Sequence, residues 1–347
     1  MINTPPNLYS TITTASQQQI QQADLKDLSS DHAGQFFKEL RLRAYVEKIL
    51  AKNERYGVTS GASIVNLQTQ REIVAHDLDT EHFAASVNKL PIARLVLNDL
   101  RDGKLAFDQQ LTWTAADRRA GAGKFDQADA PTQASVKDLL FDMLNPSGNT
   151  AVRALVNQGL GGAAAVNDRF AHELNLQHTY LQPLEGNLFY VGYTTAREGM
   201  TNIRGLLDGD DQYRQFVTNA LATNIYNDFG VRSQLADNDY IILANKVGIL
   251  DDAEANNRHD VGIIYNTRTH QAYGFSLLNS SHGEAYNAPT AQAGISLADI
   301  GEGLLRFAGD KVQIQTKQHG ESPVAGSERR AQELLQAPAH DGQRLIY

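Results

Sequence analysis

The sequence predicts a mixed α/β (α+β) protein in which terminal helices flank an antiparallel five-stranded sheet and an all-α subdomain is inserted into it. Three observations lead there. An amphipathic helical pattern opens the structured part of the chain. Two β-rich segments follow it, and three more arise only from Asp239 onward. Most of the sequence between the two groups has apolar residues at three- and four-residue spacing.

Residues up to about Ser30 are polar, Gln- and Thr-rich and without apolar period, so 1–32 reads as a flexible leader. From Ala33 to Lys52, the residues Phe36, Phe37, Leu40, Val46, Ile49 and Leu50 recur at helical spacing with charges opposite them, which makes an amphipathic helix in need of a sheet. Ala62 to Leu67 and Ile73 to His76 read as a hairpin joined by Gln68-Thr69-Gln70-Arg71. Helical period returns from Lys89 to Arg101, and Asp102-Gly103 stops it. Val136 to Leu144, Thr150 to Leu160, Ala163 to Leu174, Ala196 to Leu207 and Gln212 to Ala222 supply the helices of the insertion. Asp239 to Val247, Val261 to Asn266 and Gln271 to Leu278 are β-rich, and Leu297 to Phe307 closes as a helix. The folded unit is therefore expected over 33–310, with a sheet subdomain of about 33–103 and 225–310, a helical subdomain of about 104–224, and a polar C-terminal tail over 311–347. A cleft at the subdomain junction is where a small-molecule site is expected.

Composition narrows the chemistry. With 347 residues, 41% hydrophobic and 20% charged, the chain can bury a sizeable core. The formal charge of −9, without a Lys/Arg cluster, excludes nucleic acid and acidic membrane surfaces as partners. Zero cysteines exclude disulfides, thiolate zinc sites and cysteine nucleophiles. The first residues lack the basic start and apolar run of a secretory signal, and no segment reaches the roughly 20 apolar residues of a membrane span. No metal or other cofactor is expected: His82 and the Asp251-Asp252-Glu254 run lack paired ligand spacing. The glycines of Arg118-Arg119-Ala120-Gly121-Ala122-Gly123-Lys124 miss the spacing of a phosphate-binding loop.

Three short motifs carry chemistry. Ser86-Val87-Asn88-Lys89 stands at the start of a helix, so Lys89 lies one turn beyond Ser86 and its amine can reach the hydroxyl. A serine is a weak nucleophile at neutral pH, and a lysine with a lowered pKa can take its proton, while the helix N-terminus offers N–H groups to an oxyanion. Ser147-Gly148-Asn149 follows Asn145-Pro146 at a helix junction, and Lys246-Val247-Gly248 ends an apolar strand. Singly, each has a purely structural alternative: a helix-start serine with a solvated lysine, an N-cap, a strand-end charge.

Together, in this order, S-x-x-K, S-x-N and K-x-G resemble the motifs of class A β-lactamases and penicillin-binding proteins, the DD-peptidase-like serine hydrolases. The resemblance runs from about Arg43 to Gly309 and includes Leu111-Thr112-Trp113-Thr114, Asn149-Thr150-Ala151, Thr194-Thr195-Ala196 and the closing helix from Ile300 to Phe307. It implies a β-lactamase/DD-peptidase-like fold and an acyl-enzyme on Ser86, with Lys89 as base or proton relay and Ser147 passing a proton to the leaving nitrogen. It further implies that Asn149 binds the substrate amide, that Lys246 offers positive potential to the substrate carboxylate, and that Gly248 opens onto the substrate. The N–H groups of Ser86 and Ile249 would form the oxyanion hole. The implied partners are a β-lactam or a peptidoglycan peptide, the implied compartment is periplasmic or extracellular, and a monomer is expected.

The sequence departs from that pattern at three places. Glu185 is the candidate for the carboxylate that activates the deacylating water, but only about 8 residues separate it from the Thr194-Thr195 helix start, a short loop for that role. Val247 replaces a hydroxyl residue and cannot hydrogen-bond a carboxylate, which leaves Arg258 or His259, expected on a turn before a strand, as the substitute. Gly148 replaces an acidic residue. With Glu185 in place the expectation is a β-lactamase, without it a DD-peptidase, and a non-catalytic peptidoglycan-binding protein is the third reading.

Overall fold

The computed structural model describes residues 28–183, 190–208, 211–235, 240–251, 256–282 and 288–309. Helix α1 (Leu28–Arg55) leads into the hairpin β1 (Val58–Asn66) and β2 (Arg71–His76). A two-residue strand, β3 (His82–Phe83), precedes a 3₁₀ turn (Ala85–Asn88) that passes directly into α2 (Lys89–Arg101). Pro91 falls in the first turn of α2, where an amide N–H has no intrahelical partner to lose.

The middle of the chain contributes β4 (Gln110–Thr112), β5 (Gln133–Ser135), α3 (Val136–Leu144), and α4 (Asn149–Ala154) with a π turn over Leu155–Gly159. It continues through α5 (Ala163–His172), β6 (Tyr180–Pro183), β7 (Tyr190–Thr194), α6 (Ala196–Leu207) and α7 (Gln212–Ala222). Strands β8 (Ile241–Asp251), β9 (Asn256–Asn266) and β10 (Ala272–Ser281) then complete the sheet, and α8 (Ala288–Ala308) closes the described chain.

The main sheet has five strands in the order β2-β1-β10-β9-β8, all antiparallel. The strand count and the pairing agree with expectation. Because successive side chains alternate faces, each strand serves two cores. Ile64, Leu243, Val247, Ile264 and Leu277 join Leu42, Val46 and Leu50 of α1 and Leu297 and Leu304 of α8 in one cluster. Val65, Ala244, Val261, Ile263 and Leu278 face the other way, into a second cluster with α2, α3, α4 and α6. The junction of sheet and helices, where the cleft is expected, lies on this second side.

Two expectations are corrected. The inserted region is not purely helical, since it contains the ribbon β4-β5 and the pair β6-β7, onto which β3 adds from before α2. These strands are only two to five residues long, so they leave little local period to read. The stretch before Val261 is strand, not turn. Asn256, Asn257, Arg258, His259 and Asp260 all lie buried in β9, an interior strand, where Arg258 and His259 pair with neighbouring backbone groups and Asp260 with Asn245.

Candidate active site

The three motifs converge. Ser86 sits on the 3₁₀ turn behind Ala85, whose φ of 46° is a left-handed conformation unusual for a residue with a Cβ. Ser147 has the same property at φ 66°. Such strained residues persist where surrounding contacts overdetermine them, and here they flank one cluster of polar atoms.

Lys89 Nζ is the hub of that cluster. It lies 3.0 Å from Ser86 Oγ, 2.8 Å from Ser147 Oγ, 2.6 Å from the Ser147 carbonyl and 2.9 Å from Asn149 Oδ1. An ammonium has three protons to donate, fewer than these four oxygens. A neutral amine, with two N–H groups and a lone pair, can donate to two of them and accept from the Ser86 hydroxyl. Lys246 Nζ reaches the same Ser147 Oγ at 2.9 Å, and also donates to the Val247 carbonyl at 3.1 Å. Tyr226 presents its ring 5.7 Å from Lys246 Nζ and donates its hydroxyl to the Pro146 carbonyl, bracing the loop before Ser147.

Burial sets the electrostatics. Ser86, Lys89, Ser147, Asn149 and Lys246 are each 2% exposed or less. Burial lowers Lys89 from the ordinary lysine range to about 7, against the upward pull of the Asp126 and Asp142 carboxylates. Lys246 is pushed well below its ordinary value, first by burial and then by the neighbouring Lys89. The site therefore keeps a lysine that is able to be neutral near pH 7 beside a serine hydroxyl.

Strand β8 packs against the serine turn at Gly248. A Cβ there would stand 3.2 Å from the Ala84 carbonyl and 3.3 Å from the Val87 nitrogen, so a side chain would push the strand away from Ser86. Gly248 thus acts through close approach. The face alternation of β8 and β9 sorts the remaining candidates. Lys246 and Gly248 face the cleft, whereas Val247 and Ile249 face α1 and α8 and pack in that core, leaving only their backbone to the site.

Arg258 pairs with Ile249 and shares its far face; its guanidinium lies 2.7 Å from Asp251 Oδ1 and donates to the Leu250 and Asn257 carbonyls. The structure does not bring it to the serine. His259 is on the cleft side, but its ring is occupied: Nε2 donates to the Phe83 carbonyl at 2.8 Å and Nδ1 accepts the Asn279 N–H at 3.1 Å. Burial holds it neutral, lowered to about 4. Glu185 lies outside the described residues.

Three groups escape motif reading. Asp126 accepts the N–H groups of Asn149 and Thr150 at 3.1 and 2.7 Å, Asp142 accepts that of Lys124 at 2.6 Å, and Asp260 accepts from Asn245 Nδ2 and Val231 N, both at 2.8 Å, beneath the sheet. The signal for Asp142 is its place in Leu139-Leu140-Phe141-Asp142-Met143-Leu144, an acid on the apolar face of a helix. The glycine-rich loop over Arg118 to Lys124 supports the second motif, since Asn149 Nδ2 donates to the Ala120 carbonyl at 2.8 Å and the Arg119 N–H donates to Thr150 Oγ1 at 3.0 Å. Among the described residues no cluster of acids and histidines could hold a metal, and no helix is long and apolar enough to cross a membrane.

A serine, two buried lysines and an S-x-N turn thus meet at the junction of an antiparallel sheet with a helical layer. The Beta-lactamase enzyme family matches residues 41–304, and the chain belongs to that family. Among solved structures, the β-lactamase of Sphaerobacter thermophilus DSM 20745 superposes with a TM-score of 0.65 at 22% identity, covering 77% of this chain and 98% of its own. A mutant of PBP-A, solved as an acyl-enzyme complex with penicillin G, gives 0.65 at 19% identity, covering 76% and 95%. An ancestral class A β-lactamase gives 0.64 at 21%, covering 76% and 99%. At these identities the likeness concerns the fold. No curated relative matches the chain in sequence.

Proposed function

We propose that the protein is a serine hydrolase that forms an acyl-enzyme on Ser86, acting on β-lactam amides as a class A-like β-lactamase. The observation that carries this reading is the 3.0 Å contact between Lys89 Nζ and Ser86 Oγ within a buried site, with Ser147 Oγ 2.8 Å from the same Nζ. In the first step Ser86 Oγ attacks the amide carbonyl while its proton passes to Lys89. As the C–N bond breaks, the proton moves from Lys89 through Ser147 to the leaving nitrogen, and an ester on Ser86 remains. The backbone N–H groups of Ser86 and Ile249 stabilise the oxyanion, Asn149 takes the substrate amide, and Lys246 supplies positive potential. Water then cleaves the ester, with Glu185 as its base.

Purified protein is expected to turn over nitrocefin, and Ser86→Ala to abolish turnover. Acylation that stops after a single turnover would sink the lactamase reading and leave the second one, a DD-peptidase-like enzyme acting on peptidoglycan peptides. The observation favouring this second reading is Val247, whose side chain is buried in the α1/α8 core and offers no hydroxyl to a substrate carboxylate. Absence of any penicillin label on Ser86 would favour a non-catalytic peptidoglycan-binding role. Either enzymatic role places the protein in the periplasm or outside the cell, which fractionation of the producing cells tests.

A further inference from the structure

Gly148, the middle residue of Ser147-Gly148-Asn149, faces a carboxylate. A Cβ built on it would stand 2.0 Å from Asp142 Oδ2 and 3.1 Å from the Asp142 carbonyl. A side chain at 148 would need the Asp142 carboxylate to move from its place. Asp142 is 4% exposed in α3, amid the buried Leu139, Leu140 and Met143. Its Oδ1 accepts the Lys124 N–H at 2.6 Å, and its carbonyl accepts the Gly148 N–H at 2.7 Å, closing the turn. A second carboxylate, Asp126, binds the next two backbone N–H groups, those of Asn149 and Thr150, and also the Gly123 N–H at 2.9 Å. Burial raises the Asp142 carboxyl to about 6, with Asp126 adding to the rise, while Lys89 draws it back.

We propose that Asp142 is a positioning residue of the active site: from α3 it supplies the carboxylate that occupies the side-chain space of position 148, and it thereby holds the turn whose Ser147 and Asn149 atoms bind Lys89. The proposal rests on Lys89 being the base, as in the reading above. Among the described residues, the charged groups that act on Lys89 are Asp126 from the turn over Lys124–Asp126 and Asp142 from α3, while Lys246 of β8, which meets the same Ser147 Oγ, is itself lowered by Lys89. At pH 7 an ionised Asp142 favours the ammonium form of Lys89. Removing that charge therefore makes Lys89 easier to deprotonate.

The test uses the full chain with Asp142→Asn, Asp142→Ala, Gly148→Asp and the double variant Asp142→Ala/Gly148→Asp. The rate of labelling by a fluorescent penicillin is followed against pH, and thermal unfolding is recorded for each. Asp142→Asn keeps the shape, and its labelling rate is expected to rise at a pH about one unit or more below that of the parent. Gly148→Asp alone is expected to lose on the order of 10²-fold in labelling rate, and the second substitution to recover most of it. An unmoved pH limb in Asp142→Asn, or effects of the two substitutions that simply add, overturns the proposal. If the parent protein takes no label, the reading of the site fails on its own. The unfolding temperatures still decide this proposal: a double variant more stable than Gly148→Asp supports it, and additive losses overturn it.

Discussion

Lys89 and Ser86 lie one helical turn apart, with the amine 3.0 Å from the hydroxyl, and the lysine is lowered by burial to about 7. A base works only when deprotonated, so the rate of penicillin labelling is expected to climb as pH passes upward through about 7. Replacing the lysine, as in Lys89→Met, should cost about 10²- to 10⁴-fold in that rate, the usual value of a positioned base. Stopped-flow labelling across pH 5 to 9 checks both.

Lys246 shares Ser147 Oγ with Lys89, and the charge of Lys89 is one cause, after burial, of the lowered Lys246 pKa. The charges that set the Lys89 value are the Asp126 and Asp142 carboxylates, so Lys246→Ala is expected to lower the labelling rate by removing a partner of Ser147 Oγ while leaving the rising limb of the pH profile in place. A limb that moves upward would count against this reading.

Asp99 and Arg169 pin the C-terminal end of α2 to α5 by a two-pronged ion pair, both contacts 2.8 Å, with Asp99 almost fully buried. Asp99→Ala leaves the guanidinium only its partly exposed partner Glu173 and is expected to destabilise the fold by about 2–3 kcal/mol in urea unfolding. Lys89 stands ten residues away, about 15 Å along the helix. The pH limb of labelling should therefore not move.

His259 is buried neutral, with its pKa lowered by burial to about 4, and it ties β9 to the Phe83 carbonyl just before the serine turn. Between pH 6.5 and about 4 the unfolded chain binds a proton at this position that the folded chain refuses, so its contribution to stability falls as pH falls. Asp142 and Asp260, both raised by burial, titrate with the opposite sign, so the contribution is isolated by difference. Relative to His259→Gln, the parent should lose about 1.4 kcal/mol per pH unit over that window. Parallel unfolding curves at pH 7, 6 and 5 measure it.

The parts of the site that could be read in the sequence are those in which chemistry is contiguous. Ser86 and Lys89 belong to one turn, and Ser147 with Asn149 and Lys246 with Gly248 are two residues apart, so spacing alone shows what can touch. Asp126 and Asp142 were not legible as site residues, because they come from a 3₁₀ turn and a helix face that meet the S-G-N turn only in space. The polar half of β9 was misread for a related reason. Arg258 and His259 look like turn residues until the Asp251 carboxylate and the Asn279 N–H are seen to pair with them inside the sheet.

By itself the sequence determined the helices through their apolar period, the two-plus-three division of the strands and the three motifs, all of which depend on neighbours within a few positions. The tertiary structure decided which side chains face the cleft. It turned Val247 and Arg258 to the far side of β8 and β9, bound Arg258 to Asp251, and placed the Asp142 carboxylate where residue 148 has no side chain. Strand register and helix packing join residues as far apart in sequence as Ser147 and Lys246, 99 positions, and those contacts, together with burial, set the lysine pKa values on which the chemistry depends.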